Sequence, residues 1–404
     1  MPETGRYDFR GVSPLPADRQ PVIIEARRTP LCRTGGALSS LRAHELLAPV
    51  LAGLLAETRL SADAVADVVI GNAVGANGNV ARLALLEAGL PVLVPGVTVD
   101  RQCGSGLDAI VLASRMVAAG GNGAYLAGGV ESISTAPLRA HRGIAGEPEF
   151  FGRAQFVPHT YGDPDMGVAA DNVAARYGIS RERQDAFSLE SHRRALEAAK
   201  AGFFESEIQP LQSSGGTGIV TDDDGPRPRL TAGVLARFPP AFSNEGTVTA
   251  GNSCFDADGA AAVVITSLQR ARELGARDGL LVLGTDTAGV DPELLGIGAA
   301  SAAARVLATQ GVTAQELDLV EFNEAFASQT LACLDLLGLD PGQVNRDGGA
   351  LALGHAYGAS GAVLVTRLLA QSRRSPGQER LALAMISIAG GMGTAALLRY
   401  GAIG

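Results

Sequence analysis

Cys103 is the residue whose surroundings best suit a nucleophile. It lies in the segment DRQCGSG, directly before a run with helical spacing. A thiol at a helix N-terminus is near the positive end of the helix dipole, so we expect a lowered pKa. Gly104 and Gly106 let the backbone approach a bound carbonyl and leave N–H groups as oxyanion donors. The alternative, a small apolar core residue, suits Cys32 and Cys333 well but Cys103 poorly, because a core cysteine needs no flanking glycines.

His355 is the candidate base. It lies between Gly354 and Gly358, before a second helical pattern. A histidine placed in this way can take the cysteine proton or hold an oxyanion, although a helix-capping or core histidine would fit the same position. The other four histidines, His44, His141, His159 and His192, fall in helical or polar segments and need only a surface explanation. No two histidines have metal-ligand spacing, so we predict no metal site.

Asn323 and Ser387 each lie at the end of an apolar run. Asn323, in EFNEAFA, can hold a water or orient a catalytic group, or it can be a helix N-cap, and the local sequence leaves both interpretations open. Ser387 begins SIAGGMG, whose glycines suit either close approach to a ligand or tight packing. The chain has no phosphate-binding GxxxxGK[ST] motif, and no hydrolase elbow surrounds these residues.

The elements that must position these residues form an α/β pattern with a largely parallel sheet. We predict a strand from Pro21, helices over 43–57, 167–177 and 180–200, and a helix directly after Cys103. Three motif pairs then recur in the same order, which indicates a duplication. They are ADVVIGNAV with LDLVEFNEAF, CGSGLDAIVLA with HAYGASGAVLV, and YLAGGVES with SIAGGMGTA.

The duplication places Cys103 and His355 at equivalent positions. Asn72 and Cys103 are 31 positions apart, and Asn323 and His355 are 32 positions apart. Both loops would follow strands at the carboxyl edge of a sheet, where open α/β sheets bind ligands. We therefore expect Cys103 and His355 to face each other across a pseudo-twofold axis.

Composition limits the remaining function classes. The 404 residues are 46% hydrophobic with a net charge of −9, and no basic run is present, so nucleic acid is an improbable partner. Four separated cysteines without a CxxC pair argue against disulfides or zinc and fit a reducing cytoplasm. No apolar run of 18 or more residues predicts a membrane span. We divide the chain into a loose leader (1–20), a first half (21–132 with 245–279), an inserted loop domain (133–244) and a second half (280–404).

Taken together, the motifs CGSG, NEAF, GGALALGHAYGASG and GGMG resemble those of the thiolase family. The resemblance extends from about Val22 to about Tyr400 and includes ARRTP and TVTAGNS. It implies two duplicated βαβαβαββ halves in a five-layered α-β-α-β-α core with an inserted loop domain. It also implies coenzyme A thioesters as substrates, no permanently bound cofactor, and a homodimer or homotetramer.

The resemblance also implies residue roles. Cys103 would be the acylated nucleophile and His355 its activating base, and Asn323 with His355 would bind the enolate oxyanion. The backbone N–H groups of Cys103 and Ala389 would bind the acyl-enzyme oxyanion. Arg227 matches a position near the nucleotide of coenzyme A, and Met166 matches the loop that lines the acyl pocket.

Three departures from the family pattern surround this site. Ser387 stands where the family has a second catalytic cysteine, and a hydroxyl is a far weaker acid than a thiol, whose pKa is roughly 8.5. Ala389 replaces a glycine and could strain a turn that needs positive φ. Cys254 and Phe255 replace a serine–glycine pair beside the expected pantetheine channel, which places bulk there.

The sequence thus supports three functions. The first is a thiolase-type acyl-CoA C-acyltransferase that forms or cleaves 3-ketoacyl-CoA by ping-pong catalysis through acyl-Cys103. The second stops after acylation and passes the acyl group to water or a thiol, because Ser387 cannot act as the second cysteine. The third is a non-catalytic acyl-CoA-binding subunit.

Overall fold

A computed structural model describes residues 15–75, 78–213, 215–216 and 218–404. Of the predicted leader, residues 1–14 lie outside the described part of the chain. The remaining residues form a mixed sheet of ten strands with helices on both sides, accompanied by two small two-stranded sheets.

The first half of the chain alternates strands and helices up to residue 131. The strand from Pro21, the helix predicted over 43–57 and the helix after Cys103 are all confirmed within two residues. The elements are β1 (Pro21–Arg28), β2 (Cys32–Arg33), α1 (Ala43–Thr58), β3 (Val65–Gly71), α2 (Val80–Glu87), β4 (Gly96–Val99), α3 (Ser105–Ala118) and β5 (Ala124–Glu131).

The segment between β5 and residue 245 has short strands and two long helices. Both helices predicted here are confirmed, and the longer one begins where the Ser180 hydroxyl accepts a hydrogen bond from the N–H of Arg183. The elements are β6 (Ala140–Arg142), β7 (Pro148–Phe150), α4 (Met166–Tyr177), α5 (Arg181–Lys200), β8 (Leu211–Gln212), β9 (Ile219–Val220) and α6 (Ala232–Leu235).

Regular α/β structure resumes after this segment and continues to the C-terminus. The elements are β10 (Ala257–Ser267), α7 (Leu268–Glu273), β11 (Asp278–Gly289), α8 (Gly298–Gln310), β12 (Leu319–Phe322), α9 (Ala327–Leu337), α10 (Ala350–Leu353), α11 (Tyr357–Arg373), β13 (Arg380–Ile388) and β14 (Met392–Ala402).

The sheet has the internal symmetry that the duplication predicts. Strands run β1-β10-β5-β3 in the first half and β11-β14-β13-β12 in the second, and β1 pairs with β11 where the halves meet. The parallel pairs are β3 with β4 and with β5 in the first half, and β12 with β13 in the second. The other pairings of this sheet are antiparallel, so the expectation of a largely parallel sheet is wrong. One motif comparison is nevertheless wrong. Gly71 pairs with Gly129 in the first half, and Phe322 pairs with Met385 in the second. When Asn72 is matched with Asn323, this register makes Gly129 the counterpart of Met385. Two residues further on, Ser387 therefore corresponds to Glu131, and the two AGG motifs do not correspond.

The helices form the five layers that the family resemblance implies. Helices α3 and α11 pack against each other between the two half-sheets, α1 and α2 cover the outer face of the first half, and α8 and α9 cover that of the second. Three clusters of buried Val, Leu, Ile and Ala side chains fill the spaces between the layers. The central helices are very close: a Cβ at Gly106 of α3 would lie 2.6 Å from the carbonyl oxygen of Gly358 in α11.

A buried ionic cluster joins the inserted segment to both halves. The guanidinium of Arg28 in β1 binds Glu207 at 2.8 Å, and that of Arg367 in α11 binds Glu321 of β12 at 3.1 Å and approaches Glu207 at 3.5 Å. Both guanidinium groups lie over the ring of Phe204. All four charged side chains are at most 3% exposed, so each depends on its partners for compensation. Across the residues described, no helix combines the length and apolar character needed to cross a membrane.

Candidate active site

Cys103 and His355 lie at matching places in the two halves, each just before the first turn of a central helix. Cys103 precedes α3, and His355 precedes α11. Both line one cavity of about 600 Å³. Four other predicted site residues also line it: Met166, Cys254, Ser387 and Ala389. The structure therefore brings together residues that are up to 286 positions apart in the sequence.

The Cys103 thiol is partly buried at the wall of this cavity, next to two backbone N–H donors. The residue before it, Gln102, has φ of 46°, a left-handed conformation unusual for a non-glycine residue. The backbone N–H groups of Ala389 and of Cys103 itself are oriented toward the sulfur. Burial nevertheless raises the pKa of Cys103 to about 12, because desolvation of the thiolate outweighs these two donors. The pKa of Cys103 is therefore raised, not lowered as its place before α3 led us to expect.

His355 is held as a neutral base. Its Nδ1 lies 2.7 Å from Ser360 Oγ, and the Ser360 hydroxyl donates to the carbonyl oxygen of Ala356 at 3.1 Å. Since that hydroxyl proton is already used, Ser360 Oγ accepts the Nδ1–H, and Nε2 carries the lone pair. Burial lowers the pKa of His355 to about 4. Among the described residues, Nε2 is buried without a hydrogen-bond partner, so it is free to accept a proton.

Asn323 continues strand β12 beyond its last residue. Its N–H donates to the carbonyl oxygen of Met385 at 3.3 Å, and its side chain is 3% exposed. The following helix begins at Ala327 with Phe326 as its N-cap, so the N-cap interpretation of Asn323 is wrong. The Nδ2 donor of Asn323 has no partner in the part of the chain that the structure describes. A buried amide donor of this kind suits an oxyanion or a water.

Ser387 and Ala389 lie at the end of β13 and at the turn after it. The Ser387 hydroxyl donates to the carbonyl oxygen of Gly296 at 2.6 Å and accepts the N–H of Ala299 at 3.1 Å. The positive φ values of the turn fall on Gly390 (83°) and Gly391 (79°), and Ala389 is not among the described non-glycine residues with positive φ. The expectation that the methyl group of Ala389 strains this turn is therefore wrong.

Two of the predicted coenzyme-binding residues lie elsewhere. Phe255 packs under the guanidinium of Arg33, whose carbon lies 3.7 Å from the ring centroid, and it is not among the described residues that line the cavity. Arg227 also lies outside that lining, and its N–H donates to Nδ1 of His192 at 3.2 Å. His192 is only 5% exposed. The surface explanation for this histidine is therefore wrong, because its ring is an acceptor inside the fold.

Sequence reasoning missed several polar groups at this site. Ser360 orients His355, and the signal was present, because a serine five positions on lies within the first turn of α11. The hydroxyl of Tyr357 donates to Asp256, and both residues line the cavity, although they are 101 positions apart. Gln329 also lines it, with an Nε2 that has no partner among the described residues.

Family models match nearly the whole chain. The thiolase N-terminal domain matches residues 21–269, and the thiolase C-terminal domain matches residues 281–400. The chain belongs to the thiolase family. Thiolases are acyltransferases, so this thiolase is an enzyme of that class, as the sequence motifs predict.

Relatives and solved structures agree with this membership. The thiolase is 42% identical over 383 residues to the putative acetyl-CoA C-acetyltransferase VraB of Staphylococcus epidermidis, covering 94% of this chain and 98% of the relative. It is 41% identical over 377 residues to the putative acetyl-CoA C-acetyltransferase YhfS of Bacillus subtilis, covering 93% and 98%.

Two crystal structures have the same fold. The acetyl-CoA acetyltransferase of Bacillus anthracis superposes with a TM-score of 0.87 at 34% identity, and the human mitochondrial 3-ketoacyl-CoA thiolase with 0.87 at 32%. In both cases 95% of this chain and 99% of the other chain are covered. The predicted fold class is confirmed.

Proposed function

We propose that this thiolase is an acyl-CoA C-acyltransferase that forms or cleaves 3-ketoacyl-CoA through an acyl-Cys103 intermediate. The observation that carries the proposal is the shared cavity in which the Cys103 thiol and the unpartnered Nε2 of His355 both lie. The relatives named acetyl-CoA C-acetyltransferase favour an acetyl group as one substrate.

In the first half-reaction the Cys103 sulfur attacks the thioester carbonyl, and its proton passes to Nε2 of His355. The oxyanion that forms on the carbonyl oxygen accepts hydrogen bonds from the N–H groups of Cys103 and Ala389, which already point at the sulfur. The carbon–sulfur bond to coenzyme A then breaks, and the imidazolium returns its proton to the leaving thiolate. Because both groups are neutral at rest, the charge exists only during transfer.

In the second half-reaction an acyl-CoA enolate attacks the acyl-Cys103 carbonyl. Asn323 Nδ2, and His355 Nε2 once it has taken up a proton, would donate to the enolate oxygen, since both atoms are buried without a partner among the described residues. Met166 would line the acyl pocket, Cys254 and Phe255 would lie beside the pantetheine channel, and Arg227 would lie near the nucleotide of coenzyme A. We further propose a cytoplasmic homodimer or homotetramer without a permanently bound cofactor.

Intact-protein mass spectrometry with acetyl-CoA and acetoacetyl-CoA tests the proposal. We expect an acetyl adduct on Cys103, loss of acetoacetyl-CoA absorbance when coenzyme A is added, and neither signal in Cys103→Ala. Thiolysis no faster than in Cys103→Ala would defeat the proposal.

A second function is favoured by Ser387 alone. Its hydroxyl cannot supply a thiolate, so the acyl group could instead pass to water or to another thiol. Formation of the Cys103 adduct followed by release of acetate, without 3-ketoacyl-CoA turnover, would identify this alternative.

A further inference from the structure

The cavity is lined by a second thiol that no motif predicts as catalytic. Cys254 is a free thiol and lines the cavity together with Cys103. By contrast Ser387, at the place where the family has a cysteine, has its hydroxyl bonded to Gly296 and Ala299.

The backbone places Cys254 between the segments that carry Asn323 and His355. On one side the N–H of Cys254 donates to the carbonyl oxygen of Ala325 at 2.9 Å, two residues after Asn323. On the other side the N–H of His355 donates to the carbonyl oxygen of Phe255 at 2.9 Å. The segment 254–255 is thus hydrogen-bonded through its backbone to both chain segments that carry the predicted oxyanion residues.

His355 supplies the proton acceptor that such a thiol needs. Nε2 of His355 is buried, lines the same cavity and has no partner among the described residues. It is therefore available to exchange a proton with more than one sulfur during the cycle.

From this arrangement we infer that Cys254 is the second catalytic thiol of this thiolase, which removes the α-proton of the acceptor acyl-CoA in place of the cysteine absent at position 387. The inference rests on the proposed acyl-Cys103 chemistry and specifies its second half-reaction.

In condensation the proton transfers among Cys254, His355 and Cys103 balance. The Cys254 thiol gives its proton to His355 Nε2, and the resulting thiolate removes a proton from the α-carbon of acetyl-CoA. The enolate carbon forms the new carbon–carbon bond with the acyl-Cys103 carbonyl, and the bond from that carbonyl to Cys103 Sγ breaks. The Cys103 thiolate then takes the proton from His355. Cys254 ends as a thiol carrying the former α-proton, and no oxidant or further reactant is needed.

The decisive experiment separates the two half-reactions in Cys254→Ser and Cys254→Ala. At saturating acetyl-CoA we expect mass spectrometry to detect the acetyl adduct on Cys103 in both variants, even if acetyl-CoA binds more weakly, and the adduct also shows that the variants fold. We expect acetoacetyl-CoA thiolysis and the exchange of acetyl-CoA methyl protons into D₂O to fall by roughly 10²–10⁴, the usual contribution of a general acid–base group. Cys32→Ala, which removes a buried thiol away from the cavity, serves as the control and should change neither signal.

The other outcomes are distinguishable. Normal acetylation together with thiolysis and proton exchange within about threefold of wild type would overturn the role of Cys254 and leave the proposed function intact. Loss of acetylation in both variants would also overturn it, since Cys254 would then serve the first half-reaction or the fold. Absence of the adduct in wild type would remove the proposed function itself.

Discussion

The Ser387 hydroxyl lies 2.6 Å from the carbonyl oxygen of Gly296 and donates a hydrogen bond to it. Ser387 Oγ also accepts a hydrogen bond from the N–H of Ala299, the second residue of α8. Ser387 therefore satisfies two buried backbone groups where the inner strand β13 meets an outer helix. Its present contacts are structural, which leaves the proton-transfer role to another group.

We expect Ser387→Ala to lower the free energy of unfolding by about 1–3 kcal/mol, because the Ala299 N–H loses its partner and the Gly296 carbonyl retains only the Cys333 thiol as a donor. Urea denaturation followed by circular dichroism measures this. Ser114→Ala is the matched control, since its buried hydroxyl donates only to a carbonyl of its own helix, and it should cost less. Equal stability of both variants would contradict the structural role.

Ser360 should control the protonation of His355. In Ser360→Ala the Nδ1–H loses its acceptor, so the tautomer with the proton on Nε2 becomes populated and fewer molecules can act as a base. We expect acylation of Cys103 to slow by roughly 5- to 30-fold, which corresponds to a loss of about 1–2 kcal/mol.

Stopped-flow release of coenzyme A measures the acylation rate. Ser372→Ala removes another buried hydroxyl of α11 that bonds only to Leu368, and acylation should be unchanged. Ser360→Thr retains a hydroxyl and should recover part of the rate. A Ser360→Ala rate equal to that of wild type would show that the tautomer is fixed in another way.

Glu207 should be critical for stability. It is 3% exposed and binds Arg28 while facing Arg367. Replacing it with Gln removes the carboxylate that the two guanidinium groups share, while Asp223 still binds Arg28 and Glu321 still binds Arg367. We therefore expect a cost of about 1–3 kcal/mol in chemical denaturation. Asp335→Asn breaks the exposed pair with Arg183 and should cost at most about 1 kcal/mol. If Glu207→Gln and Asp335→Asn lowered the free energy of unfolding equally, burial would not explain the contribution of Glu207 to stability.

His192 should make stability depend on pH. Burial lowers its pKa to about 4 from an ordinary value of 6.5. Between these values the unfolded chain binds more protons than the folded chain, so stability falls as pH decreases through this window and is unaffected above it. His192→Asn keeps an acceptor for the Arg227 N–H but cannot be protonated.

The variant should be less stable than wild type at pH 7.5, and the difference should shrink by roughly 1–3 kcal/mol at pH 4.5. Other titrating groups are present in both proteins and cancel in this comparison. Unfolding free energies at the two pH values test it, with the exposed His141→Gln as a control whose difference should stay constant. If the stability difference between wild type and His192→Asn were larger at pH 4.5 than at pH 7.5, the predicted effect of His192 protonation would be contradicted.

Local sequence was sufficient for the strand from Pro21 and for the four predicted helices, and the repeated motifs indicated equivalent positions for Cys103 and His355. Periodicity fixed the long helices within two residues, and the duplicated motifs placed both residues before equivalent helices. What failed depended on burial. The pKa of Cys103 and the interior position of His192 arise from surrounding elements, and no motif encodes how many of those elements exclude water.

The effects of the residues that differ from the family pattern could also be judged only from the tertiary structure. Ala389 seemed strained because the turn needs positive φ, yet that conformation falls on the next two residues. Cys254 was predicted only to fill a channel. Its relation to Asn323 and His355 became visible only through the backbone hydrogen bonds of residues 254–257.

The close approach of the central helices restricts how the two halves can diverge. At Gly106 and Gly129 an added methyl group would meet the Gly358 carbonyl oxygen, which belongs to the other half. A side-chain clash can be relieved by a second, smaller side chain on the opposite surface, but a clash with backbone offers no such remedy. Where the two halves meet, a change at Gly106 or Gly129 therefore cannot be compensated by a smaller side chain opposite. These positions should stay glycine even when the outer helices of the two halves change in sequence.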